Sequence, residues 1–139
     1  MPLMKKLSRT VLVLLFVSGA VDLSGLAFGL FHEGFFFDNL AHFLTSMALV
    51  SLAMELAHWY SKISFGSVWR TLLAGALLGL VGGGLWEIFE VFVDYFVPEV
   101  YNPPVDTLLD MTFGTLGGAA GAWRTQAYLA PTAEHRRPL

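Results

Sequence analysis

Cysteine is absent from the 139 residues, which excludes disulfides and thiolate metal ligands. A chain that uses no thiol anywhere says nothing about redox compartment. Charge is scarce as well: Asp, Glu, Lys and Arg make up 14% of the sequence against 55% hydrophobic residues. That is too little polar material to cover a soluble globule, so the lipid bilayer must be the solvent for much of the surface. No Pro- or Ser-rich linker and no low-complexity run divides the chain, and a single transmembrane domain over residues 1–139 is expected. The net charge of -3 is a poor summary because the two signs are segregated along the chain, and nucleic acid is not an expected partner.

Four apolar runs remain. The first, residues 10–31, follows Lys5, Lys6 and Arg9. At about 22 residues it exceeds the apolar core of a signal peptide, roughly 7 to 15, and is read as a retained first span. The second, residues 39–60, matches a hydrocarbon core of roughly 30 Å at the helical rise. The third, residues 68–96, is interrupted only by glycines and is long enough to tilt or to bend at Gly82–Gly84. The fourth, residues 106–129, follows a proline-marked connection.

In this four-pass arrangement all 8 basic residues fall on one side: Lys5, Lys6, Arg9, Lys62, Arg70, Arg124, Arg136 and Arg137. The positive-inside rule places that side in the cytoplasm. Loops 31–38 and 97–105, which hold no Lys or Arg, then face outward. The expected fold is an all-α, polytopic four-transmembrane-helix bundle, N-in and C-in. Trp59, Trp69 and Trp123 stand near its inner boundary, Tyr95 and Tyr101 near its outer one. Gly75/Gly79, Gly79/Gly83, Gly114/Gly118 and Gly117/Gly121 repeat at a spacing that lets helix backbones approach closely. They serve either the packing of the third helix on the fourth or a homodimer, and spacing alone does not separate the two.

Ten ionisable side chains lie inside or at the ends of these spans, where an acid at the bilayer centre costs roughly 2.5 to 3.5 kcal/mol unless it faces a cavity or a partner. Asp38 and His42 share a face of the second helix; Glu87, Glu90 and Asp94 share one of the third; Asp106 and Asp110 open the fourth. All belong to the outward half, where no Lys or Arg can balance them. Retained protons, a protonated His42, a cationic ligand or a divalent metal must do so. The expectation is a metal held by His42, Glu87, Glu90 and Asp110, with Asp22, Asp38, Asp94 and Asp106 around it. Carboxylates with one imidazole suit Mg, Mn, Zn or Fe without choosing among them. No H-E-x-x-H occurs, and the Glu87/Glu90 pair lacks the E-x-x-H partners of a di-iron bundle. Glu55 and His58, near the inner end, are expected to be interfacial or a separate ion pair.

The segments Asp38-Asn39-Leu40-Ala41-His42-Phe43, Glu87-Ile88-Phe89-Glu90 and Asp106-Thr107-x-x-Asp110 with Gly117 and Gly121 together resemble the VanZ-like and YjdF-like families of small bacterial inner-membrane proteins. The chain departs from the VanZ-like pattern at Glu90, where glutamine is usual, and at Gly114, where asparagine is expected. The resemblance implies a multi-pass protein of the bacterial inner membrane whose polar residues gather at the outer face. Three functions compete. The first is a metal-dependent hydrolase of a lipid or lipid-linked envelope substrate, with Glu87 or Glu90 and His42 as its acid/base groups. The others are a small cation- or proton-coupled transporter and a non-catalytic envelope assembly factor.

Overall fold

The computed structural model describes residues 7–33, 35–63, 66–96 and 104–134, and at residues 32, 33, 35, 93, 94, 96 and 130–134 the backbone alone. Within them run α1 (Arg9–Phe28), the single turn α2 (Leu30–Glu33), α3 (Phe35–Ser61), α4 (Val68–Phe96) and α5 (Pro104–Glu134). No strand occurs among the described residues, as the composition requires. Three helices are long and apolar enough to cross a membrane: α1, α3 from Phe36, and α4 as far as Phe92. Helix α5 is long, but its threonines and glycines dilute it, and it is less clearly a span than expected. Lys5, Lys6, Arg136, Arg137, Tyr101 and most of the 97–105 connection lie outside the described residues.

The first span ends sooner than expected because Gly29 takes a left-handed conformation, φ 65°, and its N–H closes on the Gly25 carbonyl. The chain turns there into α2, and the Phe31 ring rests where a side chain on Gly25 would stand. Phe31 meets Phe37 edge-on at 5.7 Å between ring centres. The expected loop 31–38 is therefore mostly helical, and Asp38 lies in the first turn of α3 rather than ahead of it. Helix α4 passes through Gly82–Gly84 without interruption.

Helices α3 and α5 run parallel at the centre. Ser46 Oγ donates to the Gly114 carbonyl at 2.6 Å, and Ser51 Oγ to that of Gly121 at 3.2 Å. A methyl on Gly121 would stand 2.5 Å from the Met47 carbonyl oxygen, and one on Gly117 would overlap the Phe43 backbone. Helix α4 packs antiparallel on α5 through Gly75 and Gly79, which lie on the backbone of Gly118 and Gly114. The glycine spacing thus joins the third and fourth long helices, and Gly117 and Gly121 join the second to the fourth as well. Helix α1 lies antiparallel on α3 and, among the described residues, makes no contact with α4. The bundle is therefore open on one side rather than a closed ring of four.

Candidate functional site

At the end where α3 and α5 begin and α4 finishes, parallel packing sets Asp38 and His42 of α3 against Asp110 of α5. His42 Nε2 lies 3.6 Å from Asp38 Oδ1 and 3.6 Å from Asp110 Oδ1. These are ion-pair distances, too long for hydrogen bonds. One ligand atom from each residue falls within 4.8 Å of the other two, the separation at which a single cation could be shared. Asp110 is fully buried, and neither of its carboxylate oxygens has a hydrogen-bond partner. A buried carboxylate left in this way is costly unless a cation or a proton joins it.

The remaining acids surround this trio. Asp38, Asp106, Glu87 and Glu90 all lie within electrostatic reach of Asp110. Glu87, Asp22 and Asp106 lie within reach of His42. Glu87 is 7% exposed, and its Oε1 has no hydrogen-bond partner. Glu90, one turn away, accepts a 2.7 Å hydrogen bond from Trp86 Nε1 on a more open face of α4. Asp22 reaches the group from α1 and accepts a 2.9 Å hydrogen bond from Thr45 Oγ1. The side chain of Asp94 lies outside the described residues. Of the four expected ligands the structure brings His42 and Asp110 together and adds Asp38 to them, with Glu87 nearby and Glu90 engaged by Trp86.

The opposite end holds a second buried acid. Glu55 is fully buried and accepts from Ser8 N at 2.8 Å, Ser8 Oγ at 2.6 Å and Arg124 Nη1 at 2.5 Å. Arg124 Nη2 also donates to Ser8 Oγ, and its guanidinium lies 5.3 Å from the centre of the Tyr128 ring. Glu55 is thus paired with Arg124, not with His58, whose Nδ1 contacts the Ile63 carbonyl at 3.2 Å. Sequence reading took Arg124 only as a marker of membrane side. The signal that it was more is a lone arginine in a glycine-rich helix, at the depth of an otherwise unexplained glutamate.

Three apolar helices, with an acidic cluster at one end of the α3/α5 pair and a paired buried glutamate at the other, define a helical membrane protein. A family model covering residues 3–131, described as "Predicted membrane protein (DUF2238)", matches the chain, and the chain belongs to that family. It is also 34% identical over 86 residues to an "Uncharacterized protein" of Thermotoga maritima. That alignment covers 60% of this chain and 44% of the relative, so the chain spans less than half of the relative's length. No solved structure matches the chain.

Proposed function

We propose that Asp38, His42 and Asp110 hold a divalent cation, and that the acidic cluster serves hydrolysis of a lipid or lipid-linked substrate. The observation that carries this reading is the fully buried Asp110 carboxylate, whose two oxygens lack hydrogen-bond partners beside an imidazole and a second carboxylate. Two carboxylates and an imidazole are a donor set suited to Mg, Mn, Zn or Fe. When bound, such an ion would supply Lewis acidity to an ester or phosphoryl oxygen and acidify a water. Glu87, whose Oε1 has no hydrogen-bond partner among the described residues, would serve as the general base, taking a proton from an attacking water and returning it to the leaving group. Glu90, tied to Trp86, keeps a positioning role. Asp22 and Asp106 add negative potential that favours the cation.

The resemblance of the same three segments to the VanZ-like and YjdF-like families supports a place in the bacterial inner membrane. With α5 taken as a fourth span, the basic residues orient both termini to the cytoplasm and the acidic cluster outward. The transporter reading has less support: between the acidic cluster and Glu55, the backbones of α3 and α5 meet at Gly117 and Gly121 and leave little room for a polar path. An assembly role, or a homodimer, would use the exposed face of α4, where Gly82 meets no neighbour.

Elemental analysis of the detergent-purified chain, with lipid turnover followed in proteoliposomes, tests the proposal. One metal per chain, lost in Asp110→Asn and His42→Ala along with turnover, is the expected result. No stoichiometric metal and no metal-dependent thermal shift would favour a proton-sharing carboxylate network instead. Turnover unaffected by Glu87→Gln would remove Glu87 as the base. For orientation, a cysteine introduced at 133 in this cysteine-free chain should resist labelling from outside, and one at 35 should not.

A further inference from the structure

Between α4 and the first turn of α5 lies a groove of about 220 Å³ lined by Glu87, Ile88, Val91 and Thr107. Ile88 and Val91 are 68% and 72% exposed and belong to the part of α4 that is apolar enough to cross a membrane, so they face hydrocarbon. Glu87 is opposite in character. Its carboxylate is more than nine-tenths buried, one oxygen has no hydrogen-bond partner, and its charge reaches both His42 and Asp110. It therefore links the groove to the acidic cluster of Asp38, His42 and Asp110.

We propose that this groove takes one tail of a membrane lipid whose head group carries an ammonium, with the ammonium against the Glu87 carboxylate. The choice of head group follows from charge. Asp38, Glu87, Glu90 and Asp106 all lie within electrostatic reach of Asp110, while residues 10–61 and 71–123 contain no Lys or Arg. Even with a divalent cation at the trio, an ionised Glu87 outside it repels a net-anionic head group and favours a zwitterionic one that presents its ammonium first. Thr107, at the rim, offers a hydroxyl that can bond to the linkage between head and tail. The ester or phosphoester bond of such a lipid then lies at the cluster side of the groove, while the tail remains in the bilayer.

The inference rests on the reading of the acidic cluster as a site for lipid, but not on the cation, and one experiment separates the two. The full chain, purified in detergent, is offered equal amounts of phosphatidylethanolamine and phosphatidylglycerol with identical tails. Retained lipid and metal content are then measured in the same samples. An ionic hydrogen bond to a buried carboxylate should favour the ethanolamine lipid by about tenfold. Glu87→Gln should bring the ratio close to parity. Val91→Trp, which fills the groove from an exposed position, should abolish retention and leave metal content unchanged. Leu85→Trp, on an exposed part of α4 outside the groove, should leave both unchanged. Equal or preferential retention of phosphatidylglycerol by the unaltered chain overturns the proposal, as does Val91→Trp retaining as much ethanolamine lipid as the unaltered chain. Selective retention without any metal would leave the groove assignment standing and remove the cation from the acidic cluster.

Discussion

Glu55 and Asp110 are both fully buried acids on the α3/α5 pair, separated by roughly 20 Å along the helices at the standard rise. Glu55 receives a backbone N–H, a hydroxyl and a guanidinium, and through them ties the start of α1 to both central helices. Among the described residues Asp110 receives no hydrogen bond, and it faces His42 and other carboxylates. The first arrangement is that of a structural clasp, in which each donor has one acceptor to serve. The second spends stability on an acid that is useful only if something else comes to it. Membrane helices tolerate both because helix packing, rather than local charge balance, holds them together, and a buried intramembrane acid that accepts no hydrogen bond among the described residues is the natural candidate for a functional group.

The contrast can be broken most strongly at the paired end. Arg124→Leu leaves Glu55 buried with its guanidinium gone, and a loss of about 3 to 5 kcal/mol is expected, read as a large drop in thermal stability in detergent. Adding Glu55→Gln to that variant should recover part of the loss; no recovery would mean that Arg124 acts through packing and not through the pair. At the unpaired end the sign reverses. In metal-free protein at alkaline pH, where the carboxyl is ionised, Asp110→Asn should raise stability by about 1 to 3 kcal/mol, because it removes a buried carboxylate that accepts no hydrogen bond among the described residues. Destabilisation on the scale of Arg124→Leu would show the two ends to be alike. The smallest effect is expected between them: Thr45→Val removes the hydroxyl that donates to Asp22 and should cost about 0.6 kcal/mol, measured by reversible unfolding in mixed micelles.

Much of the fold was legible in residue order. The third helix matches the expected 68–96 at both ends, because Ser67 and the prolines beyond Phe96 bracket one apolar run. The first was expected to run on to residue 31, because Gly29 stands among apolar residues and hydropathy does not register a left-handed turn. Helix α5 extends beyond the expected 106–129 at both ends, since Pro104 is at home in a first helical turn and no glycine follows Leu129 to stop the helix. The convergence of His42 and Asp110 was anticipated from their depth. The inclusion of Asp38 rather than Glu90 was not, since a spacing of three or four residues shows which side chains share a face but not which neighbour that face meets.

Sequence by itself determined that the chain is apolar and helical and where the polar groups stand along each apolar run, because these follow from residue order at a fixed rise per residue. Only the tertiary structure decided which acids were paired. Glu55 and Arg124 are 69 positions apart and Asp38 and Asp110 are 72 apart, yet each pair meets across the same parallel contact between α3 and α5. That contact exists because Gly117 and Gly121 let α5 lie against the backbone of α3. The rotation of one helix about its axis against another sets whether a carboxylate meets a guanidinium or another carboxylate, and no pattern within a single helix encodes it.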